Sequence, residues 1–151
     1  MASYAYSFAD VAVTISGPGG SGSLTVGGVA NEGITVTFNE RVTTQYGADG
    51  TWMHVLHAAK GGKITIRLLK NGAANYLLGS IYNFDSASSS NTGQNLITIL
   101  NPVSGDDITG RGCACIHPPT VTYNTDGAIN EWEYNVGSLS AVFGNGALVT
   151  V

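Results

Sequence analysis

The sequence predicts an all-β protein, a β-sandwich or small β-barrel with one short flanking helix at about residues 72–83. Three observations carry this expectation. Runs of strict two-residue alternation recur along the chain, as in ITVTF and KITIRLL. Glycine, at 21 residues, punctuates those runs. One stretch alone, NGAANYLLGSIYNF, has helical spacing, with Ala74, Leu77, Leu78, Ile81 and Tyr82 on a single stripe.

The elements follow in chain order. SYAYSFADVAVTISG places Tyr4, Tyr6 and Phe8 on one face and Val11, Val13 and Ile15 on the other parity. The phase slip at Ala9-Asp10 predicts a bulge or bend there. GPGGSGS, residues 17–23, reads as a flexible loop or wide turn. EGITVTFNE, residues 32–40, is a half-buried strand with Ile34, Val36 and Phe38 inward and Thr35, Thr37 and Asn39 outward. Residues 41–62 form a connection longer than a tight hairpin needs, turning at Ala48-Asp49-Gly50 and carrying an apolar cluster of Trp52, Met53 and Leu56. That cluster is either a core plug or an anchor on another molecule.

KITIRLLK, residues 63–70, is the next strand, and Asn71 is placed to cap the helix after it. The helix is too short to be stable alone, so it lies against the sheet and covers an open edge or end. DSASSSNTG, residues 85–93, is polar loop. LITILNP, DITGRGCACI, TVTYN and INEWEYNVGSLSAV read as further strands, and FGNGALVTV as a last edge strand. No linker divides the chain, so residues 1–151 form a single domain, a size that buries roughly 70% of the unfolded surface.

Only 11% of the residues are charged and the net charge is −4. So few charges suit a surface covered by partners. Without a basic cluster the chain should not grip nucleic acid. The N-terminus lacks a signal peptide pattern and no apolar run reaches membrane-spanning length, so the expectation is a soluble product of a cytoplasm with no membrane partner.

Cys113, Cys115 and His117 share a strand face, but ligands almost 7 Å apart along a strand converge poorly on one ion. Small buried thiols, or a bridge between subunits, are the other readings. His54 and His57 lack the glutamate of a metalloprotease pair and read as surface or interface residues. Glu131 and Glu133 share a face and read as a solvated row, GPGGSG lacks the lysine of a phosphate loop, and no serine sits in a nucleophile elbow. No catalytic residue, metal or cofactor is expected.

The ordered phrases YSFADVAVTISGPGG, ITVTFNE, GADG, HVLHAAKGG, KITIRLLK, NYLLGSIYN, QNLITI, GDDI and PPTVTYNTDGAINEWEYNV together resemble bacteriophage tail tube proteins, especially those of contractile-tailed phages. The resemblance implies a fold like the type VI secretion ring protein. Six copies would form a ring whose inner sheets join around a channel, and rings would stack into a tube for DNA ejection. It assigns residues 41–62 to stacking, with Trp52, Met53, His54, Leu56 and His57 as contacts. The implied partners are other copies of the chain, a tail sheath protein, and baseplate hub and tail terminator proteins. Phage DNA would be transient, non-specific cargo, and the product a virion component assembled in the host cytoplasm. With that fold, the polar rows of two strands place Thr35, Thr37, Asn39, Thr65 and Arg67 on the channel wall, Arg67 alternatively pairing with Glu40. A secretion-system ring protein and a β-sandwich carbohydrate-binding or adhesion module remain as alternatives.

Overall fold

The computed structural model describes residues 2–4, 6–24, 29–144 and 148–150, with backbone alone at 2–4, 29–32 and 148–150. Among the described residues eleven strands and one α-helix follow in chain order: β1 (Ala2–Tyr4), β2 (Ala12–Gly17), β3 (Gly20–Ser23), β4 (Val29–Phe38), β5 (Val42–Tyr46), β6 (Trp52–Leu56), β7 (Gly62–Leu69), α1 (Ala74–Ser86), β8 (Asn95–Asn101), β9 (Asp106–Cys115), β10 (Ile129–Val142) and β11 (Leu148–Thr150). Seven strands form one antiparallel sheet in the order β3-β2-β8-β9-β10-β7-β4. The pairs β1–β11 and β5–β6 form two small sheets of their own. The all-β class with one flanking helix stands, and the sheet does not close into a barrel within the chain.

One face of the large sheet is the core. Alternation sends Val13, Ile15, Ile64, Ile66, Leu68, Ile97, Trp132, Tyr134 and Val136 inward, where α1 covers them with Leu78 and Ile81. On β10 the inward parity changes after Val136, from even residues to odd, so that Leu139 is buried. The change coincides with Gly112 at φ +66, the extra residue between the Asn95↔Cys113 and Leu96↔Arg111 pairs of β8 and β9.

Several elements differ from the sequence expectation, each for a local reason. The phase slip near Ala9 is a 3-10 turn, Phe8–Asp10, capped by Ser7 Oγ, which accepts from the Ala9 N–H at 3.2 Å. Tyr4's side chain lies outside the described residues. Gly20–Ser23, expected as loop, is an edge strand on β2. Its glycines make room for α1, since a Cβ on Gly22 would sit 2.8 Å from Leu77 Cδ2. TVTYN is not a strand. β10 already has β9 and β7 as neighbours, leaving no free edge for it beside β10, and Pro118-Pro119 lack N–H donors.

The helix runs to Ser86, longer than expected, and Asn71 does not cap it. Asn75 does the tethering instead. Its Nδ2 donates to the Leu69 and Lys70 carbonyls at 2.8 and 3.1 Å, and its Oδ1 accepts from Trp132 Nε1 at 3.0 Å and Asn130 Nδ2 at 3.2 Å. Asp85, expected in polar loop, extends the buried stripe of α1 and accepts from Asn95 Nδ2 at 2.5 Å. The terminal strand expected in FGNGALVTV is β11, paired with β1; residues 145–147 and 151 lie outside the described residues.

Candidate assembly surfaces

The connection at 41–62 folds as a hairpin, β5–β6, with the registers Val42↔Leu56, Thr44↔His54 and Tyr46↔Trp52 on one face. A two-stranded ribbon is marginal by itself, so local bonds must hold it. At its root, Arg41 donates through Nε and Nη2 to the His57 carbonyl, and the His57 N–H donates to Arg41 O at 2.7 Å. In the middle, His54 Nδ1 bonds the Thr44 hydroxyl at 2.8 Å, and His57 Nε2 bonds Thr43 at 3.1 Å. At the tip, Asp49 Oδ1 accepts from the Thr51 N–H and hydroxyl, while Gly50 takes φ +90. Those two bonds hold the Asp49 carboxyl below its ordinary pKa.

The hairpin's apolar side chains face solvent. Tyr46, Trp52 and Leu56 are 75%, 66% and 70% exposed, which excludes the core-plug reading of the Trp52 segment. The expected cluster is divided, however. Met53 lies with Val55 on the face opposite Trp52, His54 and Leu56, because successive strand residues alternate. His54 and His57, three apart, point to opposite faces for the same reason and cannot share a metal. Among the described residues no group of His, Cys, Asp and Glu could hold a metal ion.

The second surface is the outward face of the large sheet. Thr35, Thr37 and Asn39 are exposed, and Arg67 is partly so. Thr65 shares this face, between Thr35 and Glu133 in the register, yet is buried at 7% exposure beside those neighbours. It is therefore covered by its neighbours and presents little surface of its own on this face. Arg67 does not pair with Glu40. Its Nη1 donates to Thr35 Oγ1 at 2.9 Å and its Nε lies 3.6 Å from Glu131, the cross-strand neighbour on β10. Lys63 faces Glu133 in the same way at 4.0 Å. These cations are locally neutralised.

Sequence reading missed a further row on this face. The registers place Ser23, Thr14, Thr98, Thr109 and Ser140 side by side across five strands, a ladder of hydroxyls. The alternation in VTIS, ITIL, ITG and SLS held that signal, with hydroxyl residues recurring at outward parity on each strand.

Both sheet edges are open. Within the described residues β3 and β4 each pair on one side only. An edge of this kind invites another chain. Cys113 is buried, and Cys115 donates from Sγ to the His117 carbonyl at 3.3 Å; both are free thiols. His117 lies beyond the strand end and bonds Pro118 O at 2.8 Å.

A family model described as the bacteriophage PhiTE tail tube protein matches residues 1–144. The chain belongs to that tail tube family. It is a structural component of a phage tail. No individual curated protein gives a significant match. Among solved structures, the chain is similar to one from the tail of an empty GTA particle refined with C6 symmetry, at 14% identity and TM-score 0.63, covering 92% of this chain and 98% of that one. It is also similar to a chain of the PVC extracellular contractile injection system, sheath–tube complex in the extended state, at 12% identity and TM-score 0.59, covering 93% of each. A chain of the anti-feeding prophage baseplate matches at 13% identity and TM-score 0.58, covering 89% of this chain and 93% of that one. At such identities the likeness is one of fold, and the tail tube fold is what the three share with this chain.

Proposed function

We propose that the whole chain acts as one tube-building domain that assembles into homohexameric rings, stacked into a tube inside a contractile sheath. The observation that carries this reading is the β5–β6 hairpin, a folded arm whose aromatic and aliphatic side chains face solvent. Exposed apolar side chains gathered on one arm mark a docking surface. Trp52, His54 and Leu56 on one face, with Met53 and His57 on the other, are the inter-ring contacts. The open edges β3 and β4 support pairing between neighbours within a ring, where backbone groups on the two edges satisfy one another.

The outward polar face lines the channel. Thr35, Thr37 and Asn39 present hydroxyls and an amide, Thr65 supports them, and the charge of Arg67 is balanced by Glu131. Such a wall offers DNA no uncompensated cation row, so a polyanion passes without counterion release holding it. The C6 symmetry and the sheath and baseplate named for the similar structures support six-fold rings, with sheath, baseplate hub and terminator proteins as partners. The role is mechanical and non-catalytic.

Negative-stain images of the purified protein test this. Six-fold rings and tubes are the expected result; a compact monomer that binds glycans would sink it.

A further inference from the structure

The chain also carries a surface suited to receive the arm. At one end of the large sheet Leu69 stands opposite Ile129, and this pair, 49% and 43% exposed, lies in an open cleft of about 580 Å³. Lys70 lines one side and Asp126 and Ala128 the other parts of the rim. The Lys70 N–H donates to Ala128 O at 3.1 Å, tying the rim together, and its Nζ lies 4.0 Å from the Tyr123 ring centroid.

Cleft and arm occupy opposite ends of the same strand pair. β7 begins at Gly62, beside Val136, where the root of the arm is fixed by Asn39 N–H to Gly61 O and Leu139 N–H to Lys60 O. It ends at Leu69, beside Ile129, about 23 Å away at roughly 3.3 Å per residue.

We infer that the cleft is the receptor for the hairpin arm of a second copy, with Tyr46 and Trp52 of one subunit seated against Leu69 and Ile129 of the next. This rests on the ring-stacking reading above. Placement favours it, because sites at opposite ends of a molecule engage head to tail. Each bound copy then presents a fresh arm, and the series does not close on itself. Chemistry favours it as well. An aromatic pair needs an apolar floor, which Leu69 and Ile129 supply, and the cleft has the volume of an ordinary binding pocket. Charge complements the fit: the exposed Asp49 at the arm's tip meets Lys70 on the rim, and Asp126 repels it from the other side, which selects one orientation.

Two variants and their mixture test this. Ile129→Glu spoils the cleft and keeps the arm; Trp52→Ala spoils the arm and keeps the cleft. Circular dichroism and melting should show both folded, and each alone should give single rings. Mixing them should give pairs of rings and nothing longer, since only one of the two kinds of contact is intact. If Ile129→Glu does not fold, Ile129→Ser replaces it, with tubes at least several-fold shorter expected. Normal-length tubes from a folded cleft variant, or a mixture without ring pairs, would overturn the assignment of the cleft alone. An unaltered chain that formed no rings would instead remove the stacking reading beneath it.

Discussion

Asn95, the first residue of β8, donates a 2.5 Å hydrogen bond to the Asp85 carboxyl in the last turn of α1. Both residues are buried, and Asn95 Nδ2 also reaches the Cys113 carbonyl at 3.3 Å. The bond therefore fastens the C-terminal end of the helix to the sheet, as Asn75 fastens the N-terminal end. Removing one partner leaves the other buried without it. Asp85→Ala and Asn95→Ala should each lower unfolding free energy by about 2–3 kcal/mol in urea titrations. The double variant should cost clearly less than the sum of the two, and strict additivity would refute the coupling.

Burial also sets the alkaline limit of the fold. It pushes Cys113 and Cys115 up to about 11 from an ordinary value of 9.0, and raises Tyr134 further. Raised acids are held protonated in the folded chain. Their contribution is complete below pH 9 and is lost as pH rises from about 9 through about 11, where the unfolded chain has released protons that the folded one keeps. The urea midpoint should hold steady to about pH 8.5 and fall by pH 10.5. Folded protein should alkylate slowly at pH 8, since the thiolate is the reactive form.

The strands with strict alternation were legible in the sequence because one face of each is the core, as for Ile64, Ile66 and Leu68 against Lys63 and Arg67. Where the sequence misleads, a distant partner decides. Gly20 and Gly22 read as loop until Leu77 of the helix claims the space over them. Asp85 reads as solvated until Asn95, ten residues later, meets it. Val121 and Tyr123 alternate like strand residues, but the edges beside β10 are taken. The arm's length and apolar content were visible, yet the separation of Met53 from Trp52 follows only once residues 52–56 are known to be a strand. The cleft at Leu69 and Ile129 was not legible, because it arises from pairing two strands 60 residues apart.

Gly62 sits where β7 passes closest to its neighbours. A Cβ there would collide with the Thr37 carbonyl oxygen on β4 and with Leu139 Cδ1. Backbone cannot step aside as a flexible side chain can. Gly62→Ala should destabilise by roughly 2–3 kcal/mol and lower the melting temperature, whereas Gly79→Ala, with open space around its Cβ, should not. Equal melting temperatures for the two variants would contradict the packing at β4–β7.

The two faces of β6 should differ in their effect on assembly. Trp52 pairs with Tyr46 across the hairpin on one face, and Met53 lies on the reverse. Both are exposed, so neither substitution should change the unfolding midpoint much. Trp52→Ala should remove upward of about 2 kcal/mol from each docking contact, as central aromatic anchors do, and halt elongation. Met53→Ala, on the lesser contact face, should shorten tubes clearly less than Trp52→Ala does. Tube lengths measured by electron microscopy separate the outcomes, and equal loss from both variants would place the contact on the hairpin as a whole.

The channel assignment can be tested by reversing its charge balance. Thr35 and Thr37 are outward on the edge strand β4, while the cations nearest them, Arg67 and Lys63, are each matched by a carboxylate of β10. A lysine at either threonine would have no such partner. Each phosphate neutralised by an unmatched cation releases condensed counterions, so binding gains strength at low salt with a slope near −0.9 per contact, as an order-of-magnitude guide. Tubes of Thr35→Lys/Thr37→Lys protein should retain short duplex DNA at low ionic strength and shed it as salt rises. Tubes of the unaltered chain should retain little under either condition. If the substituted tubes also retain none while remaining open at both ends, the polar face of β4 and β7 does not line the bore, and the wall of the channel must be sought on another surface of the sheet.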